Sequence, residues 1–305
     1  MHTKSFNAKI LLFGEYTIIN GSHALAIPIS QYSGQWAFDN AKQFTILQTY
    51  LRKFADYLDE LNGTGDILID LDVQKFKQQL NEGLYFKSDI PHGYGAGSSG
   101  ALCAAVFDRF SKKEKADYKE ADIPDLRKKL AQLENFFHGS SSGIDPLISF
   151  IDKPVLINPD DNKVVQLPTP EDSKGAVFLL NTGIERKTEP LVQLFLEKCK
   201  DDLFATICTE ELALFNKKAI QYFLKGQWSD LLKMVHQISL FQLKYFNEMI
   251  PKDFLSIWRK GLDQNLFKLK LCGAGGGGFI LGFTKDFEQT IAVVPNENLI
   301  PIFRF

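Results

Sequence analysis

Cysteine is scarce in this sequence. Its 305 residues hold four, Cys103, Cys199, Cys208 and Cys272. None forms a Cys-x-x-Cys pair and their spacings match no zinc motif, which argues against both a disulfide framework and a structural zinc site. The pattern suits a reducing compartment. A strong charge of one sign is also lacking: 35 basic residues stand against 37 acidic ones, for a formal net charge of −2. No positive field is available to collect a phosphate backbone, so nucleic acid is not the expected partner. Long apolar runs are missing too. None approaches the roughly 18 residues a membrane helix needs, and Met1 to Asn7 lacks the apolar core of a signal peptide. These absences predict a cytoplasmic protein with no membrane partner. There is no internal repeat and no low-complexity tract. What the chain does have is apolar mass, 45% of its residues. A chain of this length can bury about 75% of its unfolded surface and needs no covalent staple.

The pattern along the chain mixes strands and helices. Lys9 to Phe13 is a short apolar run that stops at Gly14-Glu15. Tyr16 to Ile19 reads as a second strand, ended by the turn signal Asn20-Gly21. Phe44, Leu47, Leu51, Phe54, Leu58 and Leu61 recur every three or four residues and predict a long helix that Gly63 ends. Asp66 to Leu71 alternates like a strand. Leu102 to Phe110 reads as a helix directly after a glycine-serine loop, and residues 111–122 as an exposed charged connection. Pro124 opens a helix with Leu126, Leu130 and Leu133 on one side. Residues 152–175 are rich in Asp, Pro, Asn and Lys, with a short apolar run at 155–157; residues 176–180 read as a buried strand and residues 190–262 as two or three long helices. The end reads strand, glycine loop, strand over 267–283. Elements without strict alternation point to an α+β fold rather than a doubly wound sheet. The expected boundary lies near 165–175, giving domains of residues 1–170 and 171–305.

The loop Pro91-His92-Gly93-Tyr94-Gly95-Ala96-Gly97-Ser98-Ser99-Gly100 runs straight into a helix. Its glycines allow close backbone approach, and the free N–H groups of the helix start form a ready anion site. The bland alternative is a serine cap after a flexible turn. Gly95 to Gly100 also fits the dinucleotide fingerprint, but Phe86 to Ile90 is a poor buried parallel strand and Glu120 lies in the charged connection, so that context fails. No Lys-Ser or Lys-Thr follows the glycines, which removes a Walker A loop. Glu134 shares the inward helix face of Leu126 and Leu130, and a carboxylate there needs a metal, a cation or hydrogen-bond donors. Asp145 precedes Pro146, which restricts its backbone toward an extended shape. A structural salt bridge for Glu134 and a turn for Asp145 remain open. His138 and His92 read as structural loop histidines, and His23 and His236 show no partner pattern.

Three segments in order resemble the GHMP kinase superfamily, and within it the mevalonate kinase family. They are Lys9 to Tyr16 with Gly21 and Ala24-Leu25-Ala26, then Pro91 to Ala101, and then Lys270 to Phe279. Glu134 with His138 to Asp145, and Asn181 to Thr188, extend the likeness. The resemblance implies a two-domain α+β kinase: an N-terminal domain like ribosomal protein S5 domain 2, a C-terminal α+β domain, and ATP and acceptor in the cleft. It implies that Gly93, Gly95, Ala96, Gly97, Ser98, Ser99 and Gly100 bind ATP phosphates, that Ser99 and Glu134 hold Mg²⁺, and that Asp145 and Lys9 act at the acceptor hydroxyl. Glu15, Tyr16, Arg186, Thr188, Gly275 and Gly276 would bind the acceptor, expected to be mevalonate. A homodimer is left open. Two departures from the family stand out: Asn7-Ala8 replaces its Pro-Gly before the lysine, and Tyr16 replaces its histidine, as in phosphomevalonate kinases. A phosphomevalonate kinase, an inactive GHMP-fold sensor and a nicotinamide oxidoreductase are the rival readings.

Overall fold

The computed structural model describes residues 4–38, 45–112, 118–158, 161–170, 173–294 and 298–305. Phe44 of the expected helix, residues 113–117 of the charged connection and residues 171–172 at the expected boundary lie outside them. The chain divides into two compact units. One comprises residues 1–9, 28–91 and 96–153, the other residues 10–27, 92–95 and 154–305. Strands β1 (Ser5–Phe13) and β2 (Ala24–Phe38) contribute to both.

The first unit holds helices α1 (Thr45–Thr64) and α2 (Val73–Asn81), strand β3 (Leu84–Ser88), and helices α3 (Ser98–Phe110), α4 (Ile123–His138) and α5 (Ile144–Ile151). β3 runs antiparallel to the far half of β2, with Trp36 opposite Phe86. Trp36 donates to Ala105 O at 3.1 Å and meets Phe76, Phe86 and Phe110 edge-on. Helix α3 is buried almost all round, and its Ala101, Cys103, Ala104 and Ala105 are wholly inaccessible. Small side chains there let neighbouring helices approach closely. The four-residue spacing of Leu126, Leu130 and Glu134 does put all three inside.

Asp66 to Leu71 forms no strand. Gln132 of α4 supplies the donor and acceptor that a partner strand would give: Leu68 N–H donates to its Oε1 and its Nε2 donates to Asp66 O, both at 2.8 Å. Ile69 and Leu71 are buried, and Leu71 makes one bridge, to Ser111.

In the second unit the near half of β2 pairs antiparallel with β4 (Val155–Ile157), which pairs with β5 (Asn162–Val164). A four-stranded antiparallel sheet follows, in the order β7-β8-β6-β9, with β6 Ala176–Asn181, β7 Phe267–Leu271, β8 Phe279–Thr284 and β9 Leu299–Arg304. Around it lie α6 (Thr188–Lys198), α7 (Asp202–Ile207), α8 (Ala213–Leu224), α9 (Trp228–Tyr245), α10 (Leu255–Asp263) and α11 (Phe287–Val293). The two or three long helices expected over 190–262 are therefore more numerous and shorter, because Cys208–Leu212 widens the helical path and Gly226 breaks it. Tyr16 to Ile19 is no strand either. Tyr16 takes φ 64° and opens a tight helical turn, Thr17–Asn20, so that its ring packs on Phe195 and Phe246. No helix among the described residues is long and apolar enough to cross a membrane.

Candidate active site

In the first unit the chemistry gathers at the start of α3. The chain enters that helix through Gly97 at φ 73°. A Cβ there would sit 3.0 Å from Lys9 Cγ, so glycine leaves room for the lysine stem. Lys9 is fixed by its own backbone, whose N–H donates to Ala96 O at 3.0 Å. Its Nζ reaches Asp145 Oδ1 at 2.9 Å, and the lysine side chain is only 11% exposed. Gly100 lets α3 approach Asp145 closely: a Cβ there would come within 2.8 Å of the Asp145 backbone.

Asp145 is helical rather than extended. It lies in the first turn of α5 with Pro146 directly after it. A proline in a first turn removes an N–H that has no partner within the helix, so the turn tolerates it and overrides the pre-proline preference.

Glu134 is 3% exposed. Ser99 Oγ donates to its Oε1 at 3.3 Å and Ser141 Oγ donates to its Oε2. Ser141 is itself held, with its N–H on Asn135 Oδ1 at 2.8 Å. Burial pushes the Glu134 carboxyl up to about 7; the Asp145 charge adds to the rise, while Ser141, Lys9 and Ser99 oppose it. His138 Nε2 lies 3.0 Å from Ser99 Oγ. His138 and Ser141 were not singled out as site residues by the sequence reading. The signal for His138 was its position four residues after Glu134 on one helix, which puts the two on the same face.

These oxygens suit a hard cation. Among the described residues no group of three or more His, Cys, Asp or Glu could hold a metal ion alone. Mg²⁺ is bound in the complementary way, through one or two carboxylates with water and substrate phosphates. A buried carboxylate flanked by two hydroxyls fits that donor set.

The second unit arranges the other candidates. Glu15, 2% exposed, pairs with Lys270, which is fully buried and also donates to Leu271 O at 2.8 Å. Burial raises the Glu15 carboxyl, and Lys270 pulls against that rise. Tyr16 O–H donates to Ala274 O at 2.6 Å, and burial pushes its phenol up. Arg186 Nη1 donates to Cys272 O, and its backbone N–H donates to Gly93 O at 3.1 Å. A Cβ on Gly95 would fall 1.7 Å from Arg186 Nη2, so a side chain there would displace that guanidinium. Arg186 Nε is buried and makes no hydrogen bond. Gly276 N–H donates to Met249 O at 2.6 Å, and a Cβ on Gly275 would meet the same oxygen at 2.4 Å. Thr188 is exposed as the first residue of α6. Lys270 was not singled out beyond its motif. Its signal was a lysine alternating with Leu269 and Leu271 in a buried strand, where it needs an acid.

Residues 50–152 match the GHMP kinases N terminal domain. This segment belongs to the GHMP kinase family. The likeness extends beyond the GHMP kinase domain itself. A mevalonate kinase of Thermococcus gammatolerans is 25% identical over 93% of this chain and 90% of its own length. The crystal structure of the Methanococcus jannaschii mevalonate kinase superposes with a TM-score of 0.67 at 18% identity, over 99% of this chain and 98% of that one. A Lactococcus lactis galactokinase complexed with galactose reaches 0.65 at 15% identity, over 100% and 94%. The GHMP kinase fold is thus shared with enzymes of different acceptors. Family and fold together mark a small-molecule kinase. The nicotinamide reading finds no support in the strand before the glycine loop: β3 is antiparallel to β2 and ends in exposed Lys87 and Ser88.

Glu134 binds its proton more tightly in the fold than the usual 4.5 of an unfolded chain. Its contribution to stability is therefore complete below about 4.5 and lost as pH rises through about 7. In the nucleotide-free protein, Glu134→Gln should melt close to wild type at the acid end and above it at pH 8. Melting temperatures across that range check this, and a constant difference would remove the raised carboxyl. Lys270→Met strands the Glu15 carboxylate and should cost about 3–5 kcal/mol in denaturant unfolding. Adding Glu15→Gln should recover most of that loss.

Proposed function

We propose that this chain transfers the γ-phosphoryl group of ATP to the primary hydroxyl of mevalonate, giving 5-phosphomevalonate and ADP. The observation that carries the reading is the Lys9–Asp145 pair at 2.9 Å, beside Gly97 at the start of α3. Phosphoryl transfer asks a protein mainly for positioning and charge stabilisation. The free amides at the start of α3 would receive phosphate oxygens. Ser99 and Glu134 would hold Mg²⁺, which when bound neutralises charge on those oxygens. Asp145 would orient the acceptor hydroxyl and take its proton as the new O–P bond forms and the bond to ADP breaks. Lys9 would stabilise the charge that develops on the attacking oxygen. Holding Mg²⁺ requires an ionised Glu134, so Mg²⁺ uptake would release a proton below about pH 7.

The choice of mevalonate rests on the relatives' names and on one feature of the second unit. Arg186 has a buried Nε–H without a hydrogen-bond partner. A carboxylate is the group an arginine fork satisfies best, and mevalonate carries one carboxylate and one primary hydroxyl. Phosphomevalonate would add about two negative charges near Glu15, unfavourable without further cations.

Release of ADP, followed by a coupled assay with mevalonate, phosphomevalonate, galactose and homoserine, tests the reading. Turnover with mevalonate and little with the others is expected. Preference for phosphomevalonate would overturn the acceptor, and no release with any would overturn the reaction for these four. Asp145→Asn should keep the fold and ATP affinity while lowering turnover by about 10²–10³. Near-normal turnover in that variant would leave Asp145 a purely structural residue.

A further inference from the structure

Strand β7 reads Phe267-Lys268-Leu269-Lys270-Leu271, and both lysines are buried, Lys268 to 6% exposure and Lys270 completely. Lys270 is neutralised by Glu15. Lys268 has no acid. Its Nζ donates to the side-chain oxygen of Asn265, a neutral group. The same lysine lines a cleft of about 340 Å³ bounded by α9, by the turn before β7 and by the end of β8. Lys233, His236 and Lys285 share that cleft, and among the described residues no Asp or Glu lines it. Among the described residues only Lys233, at the exposed rim, has an acidic partner, Asp230 at 2.8 Å. His236 Nδ1 is buried and makes no hydrogen bond. Gln237 adds an amide to the wall.

The cluster is costly as it stands. Burial, and then the neighbouring Lys285, lower the Lys268 ammonium; burial, and then Lys268, lower the His236 imidazole. A chain whose overall charge is −2 has thus collected three lysines and a histidine around one concavity without a counter-charge inside it. Buried cations are ordinarily paired, and donors without acceptors ordinarily find one.

We propose that this cleft is an anion site that binds a phosphate group through Lys268, Lys285 and His236. It shares no residue with the candidate active site. A phosphate offers three or four acceptor oxygens and close to two charges, which matches several converging donors better than a single carboxylate does. Leu232, Leu266 and Phe283 form part of the wall, so a small organic phosphate fits as well as the free ion.

Imidazole resonances of the whole protein, with His236 identified through His236→Asn, read this site directly. Titration with inorganic phosphate should move the His236 signal and raise its titration midpoint. Lys285→Ser, at an exposed position, should weaken the apparent phosphate affinity about tenfold, the worth of one charge-assisted hydrogen bond. Ser99→Ala, at the start of α3, should leave the His236 response unchanged. Tighter binding of glycerol phosphate than of inorganic phosphate would assign an organic ester, and equal binding the free ion. A His236 signal that stays fixed, or that moves equally in wild type and Lys285→Ser, overturns the proposal. Lys268→Met should abolish the response, and if that variant fails to fold the Lys285→Ser comparison still decides.

Discussion

A carboxylate in a protein interior must find donors or a cation, and the geometry of the first unit is arranged around Glu134. Two hydroxyls reach it, one from each side. Ser99 comes from the first turn of α3, and Ser141 comes from the loop that joins α4 to α5. That loop is itself held, by Asn135 through Ser141 and by Arg127, whose Nε donates to Ser142 O at 2.7 Å. Its hold on Ser142 sets where α5 begins, and so where Asp145 stands. Neutral hydroxyls do not fully offset burial and the repulsion of Asp145, which is why the carboxyl rises to about 7. At neutral pH its ionisation is therefore decided by how much positive charge is brought to it. Lys9 supplies some, but pairs with Asp145 first.

The second unit solves the same problem differently. Glu15 meets a full positive charge in Lys270 through Oε1, while its buried Oε2 makes no hydrogen bond. The pair is worth little net stability, because both ions are desolvated, but losing one partner is expensive. Its use is positional. It ties the turn after β1 to β7, directly before the glycine loop that packs on Arg186. Glycines in that loop are there for protein contacts as much as for any ligand, since the backbone of Met249 and the guanidinium of Arg186 fill the space that side chains would take.

Much of this was legible in the residue pattern. The period of Leu126, Leu130 and Glu134 sufficed to put a carboxylate inside, and the glycine-serine loop sufficed to predict a helix start. What misled were local rules that tertiary contacts overrode. Asp66 to Leu71 has the alternation of a strand, but the Gln132 side chain, the Leu61 carbonyl at the end of α1 and the Lys112 N–H take up its backbone groups instead of a partner strand. Tyr16 belongs to an apolar run, yet a left-handed residue turns the run so that the tyrosine is buried with Phe195 and Phe246. Asp145 before proline looked extended from a purely local preference, which the first turn of α5 overrides at a position where the missing proline N–H has no helical partner to lose. Ser141 and Lys270 were not legible as partners at all. The pairing of Ser141 depends on how a loop folds back, and that of Lys270 on an acid 255 residues away.

The two lysines of β7 make the final comparison. Residues two apart on a strand face the same side, and both are buried here, so burial alone does not distinguish them. Their partners do. Lys270 has a carboxylate, donates to a backbone carbonyl, and lies 5.7 Å from the Phe13 ring centroid, so its charge is answered within the fold. Lys268 has an amide oxygen and two cationic neighbours. If burying lysine in β7 served only to fill space, an apolar side chain of similar length would do so at lower cost at position 268. A lysine kept there, facing a concavity with His236 and Lys285, is explained by a negative charge that arrives from outside the chain.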